Sequence, residues 1–302
     1  MAVMHSLYRE SGAVAVDQQT CKQCSRCVGI CAAEVLQMRD GRVTVKDDSP
    51  FGCIACGHCM MVCPQGSITV TGRGISPDDL LPLPGREQQA TPEALAALMQ
   101  ARRSVRRFSD QEVAPEVLDA ILEMAASAPM GIPPWDVGCV VVRGRRQVQR
   151  LADEIIKGYE RFLRIFRPWV FGLMRPIVRR ATYEQFRYFI RPLAETLVDH
   201  HRRGGDALFY NAPAAMIFHH SPYAGAEDAT IACTYAMLAA ESFGLGTTMI
   251  GSAPPIMQRD KALRRAYGIP ECNSPALVLI LGHPAATFKR AIRRRFASVS
   301  IV

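Results

Sequence analysis

No long hydrophobic run occurs in this chain of 302 residues. The longest stretch free of Asp, Glu, Lys and Arg, Ala207 to Ala226, is broken by Asn211, Pro213, His219, His220, Ser221 and Pro222, so no membrane-spanning helix is expected. The opening residues MAVMHSLYRESGAVAV lack a basic stretch leading into an apolar segment and a small-residue cleavage site, and a cytoplasmic location is expected. Glycine (22) and proline (20) are too few, and apolar residues (49%) too many, for a disordered or collagen-like chain. No nucleophile elbow, phosphate-binding P-loop or dinucleotide-binding glycine fingerprint stands in a strand-to-helix context. The length indicates a globular protein of about two domains.

Acidic residues are in deficit, and the formal net charge is +8. The excess sits in arginine clusters at 102–107, 143–150, 161–191 and 290–295. Such clusters suit nucleic acid, an anionic membrane face, or phosphates and acidic proteins, and most of each is solvated helix surface. Aromatic residues make up only 7% and are not interleaved with these arginines on a recognisable binding fold, so nucleic acid is not expected as a partner.

Cysteine is what the chain has in plenty. Eight of its eleven cysteines lie between residues 21 and 63, as Cys21-x2-Cys24-x2-Cys27-x3-Cys31 and again as Cys53-x2-Cys56-x2-Cys59-x3-Cys63 followed by Pro64. A cytosolic chain does not spend cysteines this densely on disulfides. Zinc also uses Cys-x2-Cys pairs, but four ligands satisfy a tetrahedral zinc, which leaves the third and fourth cysteines of each run redundant. Three thiolates at this spacing can wrap one face of an iron-sulfur cube while the fourth reaches another. The segment from about 15 to 75 resembles the bacterial two-cluster ferredoxins. That resemblance implies crossed ligation of two [4Fe-4S] clusters, one by Cys21, Cys24, Cys27 and Cys63 and the other by Cys53, Cys56, Cys59 and Cys31. Val43–Val45 and Ile68–Val70 are expected as its strands. Ala32 stands after Cys31 where the motif has Pro, which loosens one loop but removes no ligand. Cys139, Cys233 and Cys272 read as small core residues, and His219 and His220 as surface histidines at a strand end.

Residues 72–90 carry three prolines and three glycines without a periodic apolar face, and read as a linker. The boundary is expected near residue 84, giving domains 1–84 and 85–302. In the second, Thr91-Pro92 starts a helix whose buried stripe is Leu95, Leu98 and Met99. Further helices are expected at about 115–126, burying Val117, Leu118, Ile121, Leu122 and Ala125, and at 146–166, 227–243 and 255–267. Strands are expected at 137–142, 214–218, 247–250 and 276–281, so the fold class is α+β. Asp206 and Asn211 read as loop and cap residues. The segment 150–210, with Phe162, Phe166, Trp169, Phe171, Leu173, Met174, Tyr183, Phe186, Tyr188 and Phe189 among arginines, reads first as a helical lid insertion that sets substrate choice. A membrane-surface or partner-docking helix, or extra core, are the alternatives.

Arg102-Arg103-Ser104-Val105-Arg106-Arg107-Phe108 gathers guanidiniums and a hydroxyl able to hold one phosphate dianion. It is followed in order by Ala125 to Trp135, by Gly244-Leu245-Gly246-Thr247-Thr248-Met249-Ile250-Gly251, by Leu281-Gly282-His283-Pro284 and by Lys289-Arg290. This order resembles the nitroreductase family of FMN-dependent homodimeric α+β oxidoreductases over about 91–302, so the whole chain resembles a ferredoxin–nitroreductase fusion. The resemblance implies that Arg102, Arg103, Ser104 and Arg106 hold the FMN phosphate and ribityl chain, with Lys289 and Arg290 closing over the phosphate. It implies that Met249, Ile250 and Gly251 line the isoalloxazine, and that Ala128, Pro129, Met130 and Gly131 contribute from the other subunit. Family members commonly have Ser and Asn in that loop and Gln-Pro-Trp after it, where this chain has Pro133-Pro134-Trp135. The expected activity is reduction of a nitroaromatic, quinone or other electron-poor small molecule, with an external ferredoxin-like donor or acceptor. The alternatives are a dehydrogenase or oxidase passing electrons outward, and an electron carrier without small-molecule turnover.

Overall fold

The computed structural model describes residues 10–46, 48–49, 52–131, 136–175 and 178–301, without the side chains of Phe171 and Met174. The Pro133-Pro134-Trp135 motif lies outside the described residues. The chain divides into two compact units. One comprises Met1–Ala90, Met130–Val137 and Ser221–Gly225, and the other Thr91–Pro129, Gly138–His220 and Ala226–Val302.

The first unit is built from two hairpin-sized sheets and two one-turn helices. Strand β1 (Ala13–Val16) pairs antiparallel with β4 (Ile68–Thr71), joining the ends of the repeat, and β2 (Leu36–Arg39) pairs with β3 (Arg42–Val45). Helices α1 (Arg26–Ile30) and α2 (His58–Val62) hold the third cysteine of each run. The buried apolar set is small: Leu36, Val43, Ala55, Met60, Ile68 and Val70, with Cys27 and Cys59 among them. The linker contains two 3-10 turns, Pro77–Asp79 and Arg86–Gln88, and in the first Ser76 Oγ accepts from the Asp78 N–H while Asp79 Oδ2 accepts from the Ser76 N–H.

The second unit centres on a four-stranded sheet in the order β5 (Val137–Arg143), β6 (Ala214–His220), β8 (Ser274–Gly282), β7 (Gly246–Ile250). β8 runs antiparallel to both neighbours. Residues Ala214 to His219 of β6 are buried on both faces, as a covered central strand requires. One cover is α9 (Ala226–Ser242), which buries Ala229, Ala232, Cys233, Ala236, Ala239 and Ala240. Small side chains let its backbone approach the sheet, and Gly244 ends it in a left-handed turn at φ 72°. Helices α3 (Pro92–Ala101) and α4 (Pro115–Ala126) precede β5, and Thr91 caps α3 by accepting from the Ala94 N–H at 3.2 Å.

Several expectations need correction. Leu95 and Met99 of α3 are exposed and Leu98 only half-buried, although α3 packs against α9. The expected 255–267 helix is two, α10 (Pro254–Arg259) and α11 (Lys261–Ala266), because Asp260 leaves the helix to accept the Leu263 N–H at 2.9 Å. Much of 150–210 is core: α5 (Arg145–Ile165) and α8 (Arg191–Arg202) bury Leu151, Ile155, Ile156, Tyr159, Ala194, Leu197 and Val198. Phe162, Phe166 and Phe186 cluster, with the first two ring centroids 4.9 Å apart. Trp169, Leu173, Tyr188 and Phe189 remain exposed. Asp206 does serve as a loop cap, accepting from the N–H groups of Leu208, Phe209 and Asn211. Cys272 is exposed rather than core, whereas Cys233 is fully buried.

His219 is buried, not a surface residue, because β6 continues two residues beyond Phe218 after a register shift. Its Nδ1 lies 3.0 Å from the Asn273 amide, and any side chain at Gly138 would collide with its ring. Burial, with a smaller contribution from the neighbouring His220, lowers its pKa from 6.5 to about 4. The unfolded chain therefore takes up this proton near pH 6.5 and the folded chain only near pH 4. The stabilisation is complete above pH 6.5 and is lost as the pH falls towards 4. His219→Gln is expected to flatten the pH dependence of Tm between these values; an unchanged slope would show that other groups set it.

Candidate functional site: two cysteine cavities and a basic cleft

The two cysteine runs fold into two matching cavities, and each takes its fourth cysteine from the other run. Cys21, Cys24, Cys27 and Cys63 line one, with Lys22, Ser25, Arg26, Pro64 and Ser67. Cys31, Cys53, Cys56 and Cys59 line the other, with Ala55's neighbour Ile54, Gly57, Leu36 and Val70. The crossing follows from the local backbone. Helices α1 and α2 carry the third cysteine inwards, then end at Cys31 and Cys63, both extended at φ −74° and −77°. Ala32 and Pro64 thus follow cysteines in the same backbone conformation, so the missing proline does not disturb the loop.

The repeat also reproduces the hydrogen bonds to sulfur. Gln23 N–H donates to Cys21 Sγ at 3.4 Å as Ala55 N–H donates to Cys53 Sγ at 3.3 Å. Val35 N–H donates to Cys31 Sγ at 3.4 Å as Ser67 N–H donates to Cys63 Sγ at 3.3 Å. Gln23 and Ala55 adopt left-handed φ of 56° and 55°, a strained conformation for side chains that turns these N–H groups inwards. Burial pushes the Cys27 and Cys53 thiols up and Cys59 to about 11. At Cys63 burial also acts upwards, but hydrogen bonds from Gln65, Ser67 and Gly66 together bring the thiol down.

These observations test the fit of an iron-sulfur group. Buried thiols with raised pKa become thiolates only beside a cationic metal body, and N–H donors aimed at sulfur stabilise the negative charge that remains. Four sulfurs spread around a cavity suit a cube.

In the second unit, the segment after α3 runs as an extended strip along β7 and the end of β8. Val105 N–H donates to the Thr247 carbonyl at 2.9 Å, Thr248 Oγ1 donates to the Val105 carbonyl at 2.7 Å, and Ser109 N–H donates to the His283 carbonyl at 2.8 Å. Beside this strip lies a cleft of about 520 Å³, lined by Gln100, Arg103, Val105, Glu241, the Gly244–Gly246 turn and residues 286–291, including Lys289 and Arg290. None of these three cations forms an ion pair among the described residues; Arg103 donates to the Gln100 carbonyl at 2.5 Å and the Arg102 carbonyl at 2.6 Å, and Glu241 is the acidic group in the same lining. Burial raises the Glu241 pKa, while Arg102 and Arg103 oppose it. The Thr247 hydroxyl, fully buried, has no partner.

The expected flavin residues are thus only partly gathered. Arg103, Lys289 and Arg290 line the cleft, and Arg102 acts on Glu241 near it. Ser104 and Arg106 are exposed on the side of the strip opposite buried Val105, with the Arg106 guanidinium 5.9 Å from the Tyr210 ring centroid. Met249 is half-buried and Ile250 buried at the end of β7, where Gly251 is exposed. The Tyr159 hydroxyl holds that end by donating to the Ser252 carbonyl at 2.6 Å, and burial raises its pKa to about 12. Ala128 is buried and Pro129 exposed at the end of α4, while Met130 and Gly131 belong to the first unit. Glu241 and Gln100 were not legible as lining residues, because nothing in their local sequence separates them from solvated helix positions.

Residues 99–283 match the sequence model of the Nitroreductase family, and residues 20–68 that of the 4Fe-4S dicluster domain. FMN reductase (NAD(P)H) of Bacillus subtilis (strain 168) is 28% identical over 183 residues, 61% of this chain and 63% of that protein. An uncharacterized ferredoxin of Methanocaldococcus jannaschii is 38% identical over 60 residues, 19% of this chain and 94% of the ferredoxin. An FMN-dependent nitroreductase of Clostridium difficile R20291 superposes with a TM-score of 0.50 at 18% identity, covering 70% of this chain and all of that one, which speaks to the fold alone.

Gly246 lets the strip pass β7. A Cβ there would lie 2.6 to 2.8 Å from three side-chain atoms of Val105, itself buried. Gly246→Ala is expected to cost about 1–3 kcal/mol by denaturant unfolding, and Val105→Ala in the same chain to restore part of it. Wild-type stability for the single variant would contradict this packing.

Proposed function

The chain belongs to the nitroreductase family and carries a ferredoxin-type 4Fe-4S domain ahead of it, and on that footing we propose that it is an FMN-dependent oxidoreductase whose two [4Fe-4S] clusters relay electrons to or from the flavin. The observation that carries this reading is the sorting of eight cysteines into two crossed sets of four, in one chain with an unpaired basic cleft. Cys21, Cys24, Cys27 and Cys63 would hold one cluster, and Cys53, Cys56, Cys59 and Cys31 the other. When bound, FMN supplies two-electron chemistry and the clusters supply single electrons.

The residues of the cleft bind and orient. Arg103, Lys289 and Arg290 present charge-assisted donors to the phosphate, and Arg102 adds charge behind them. Ser104 and Arg106 would serve the ribityl side, and Met249, Ile250 and Gly251 would flank the ring. Ala128, Pro129, Met130 and Gly131 would come from a second copy. Support for a homodimer lies in Leu95 and Met99 of α3 and Ile231, Tyr235 and Phe243 on and just after α9, all exposed and apolar in one chain. The substrate is a small electron-poor molecule such as a nitroaromatic or quinone, and the external partner a low-potential ferredoxin-like donor or acceptor. The match to FMN reductase, and that to 4-nitrobenzoate reductase of Nocardioides sp. (strain LMS-CY), 27% identical over 210 residues, 64% of this chain and 82% of that protein, support this class.

Arg103→Ala and Lys289→Ala are each expected to weaken FMN binding about tenfold to a hundredfold, the worth of a lost charged hydrogen bond of about 1.5–3 kcal/mol. Flavin fluorescence titration measures it, with iron content unchanged as the control. Wild-type affinity in both would remove the flavin phosphate from this cleft. The prereduced full chain is expected to be reoxidised anaerobically by a nitroaromatic or quinone, and no reoxidation by either would leave an electron carrier.

A further inference from the structure

Arg73 is 4% exposed, yet no carboxylate pairs with it among the described residues, and its Nε is buried without a hydrogen-bond partner. It sits at the centre of a turn of three left-handed residues, Gly72, Arg73 and Gly74, with φ of 94°, 50° and 80°. The turn is closed by the Ile75 N–H donating to the Gly72 carbonyl at 3.1 Å. A Cβ on Gly72 would touch the Ser11 carbonyl and Gly12 Cα at 3.5 and 3.6 Å. Gly12 N–H in turn donates to the Cys53 carbonyl at 2.8 Å, and Cys53 N–H donates to Ser11 Oγ at 3.0 Å. The backbone thus lays the Arg73 turn against Ser11 and Gly12, the residues bonded to the Cys53 backbone.

A buried guanidinium without a counter-charge is costly, and it is retained where an anionic group lies beside it. Four thiolates around an iron-sulfur cube leave that body net negative, and it gains one further negative charge on reduction. The Arg73 charge lies near enough to Cys53 to act on it. Among the described residues the other cavity has no buried cation of this kind. Lys22 and Arg26 line it but are exposed, where water and salt screen them, and the corresponding turn of the first repeat, Asp40–Gly41, carries no buried cation.

We propose that Arg73 raises the reduction potential of the cluster held by Cys31, Cys53, Cys56 and Cys59 above that of its counterpart, so that it is the first to accept an electron from a one-electron reductant. The inference rests on the reading of both cysteine cavities as cluster sites. It makes Arg73 a tuning residue: one electron enters the cluster, no bond is made or broken, and the fixed cation offsets the added charge.

The test is a dithionite-poised redox titration of the full chain followed by EPR, with iron and sulfide measured on the same samples. With about eight irons retained, Arg73→Gln is expected to lower the higher of the two midpoints. The reduced-to-oxidised ratio of that cluster at fixed potential should fall about tenfold or more, which for one electron is about 59 mV. Arg73→Lys should keep most of the wild-type value. Full iron with an unmoved midpoint overturns the role of Arg73 and leaves the cluster reading standing; four irons or fewer in wild type overturns both. Should the glutamine variant lose iron, the wild-type chain decides. The shifted β-proton resonances of Cys31, Cys53, Cys56 and Cys59 are expected to take reduced values before those of Cys21, Cys24, Cys27 and Cys63, and the reverse or a simultaneous change contradicts the proposal.

Discussion

The first unit depends on the crossing of its fourth cysteines. Cys31 and Cys63 each end the helix that holds their own run and line the cavity of the other, so neither half can complete a four-sulfur site alone. Its apolar core is too small to hold such a fold by burial, and the left-handed backbone at Gln23 and Ala55 is strained where their N–H groups approach sulfur. On the proposed reading, metal–thiolate bonding would offset both deficits, because binding to a site that exists only in the folded chain is itself folding free energy. The pairing of β1 with β4 then closes the repeat on itself.

The second unit solves a different problem, presenting positive charge without neutralising it. Its central strands are buried on both faces, and the Ala-rich side of α9 lets helix and sheet come close. The strip from Ser104 to Ser109 is tied to Thr247, Thr248 and His283 by backbone and hydroxyl bonds, and the Arg103 guanidinium before it donates to the Gln100 and Arg102 carbonyls at the end of α3. Arg103, Lys289 and Arg290 come from two distant stretches of chain to one cleft. Electrostatic preorganisation of this kind costs stability that the sheet supplies.

Much of this was legible in the sequence because the signals were local. Cysteine spacing repeats within one short segment, Thr91-Pro92 caps a helix wherever it occurs, and the apolar runs at 214–218 and 276–281 read as covered strands. What escaped was non-local. Whether the stripe Leu95, Leu98 and Met99 is core depends on what faces α3, and in the single chain Leu95 and Met99 are exposed. The burial of His219 depends on a register shift in β6 and on Gly138 making room for the ring. The division of 255–267 turns on a single side chain, Asp260, that caps instead of continuing. Arginine patterns were the least informative, since buried Arg73 and the exposed arginines of 161–191 look alike without their surroundings.

The central claim is that one chain holds two cubic clusters and a flavin. Iron, acid-labile sulfide and flavin analysis of the full chain, purified and reconstituted anaerobically, tests it most directly. The account predicts about eight irons, about eight sulfides and about one FMN per chain. Zinc in place of iron, or no more than four irons after reconstitution, would contradict the crossed cysteine sites, and full iron without any bound flavin would contradict the basic cleft as a flavin site.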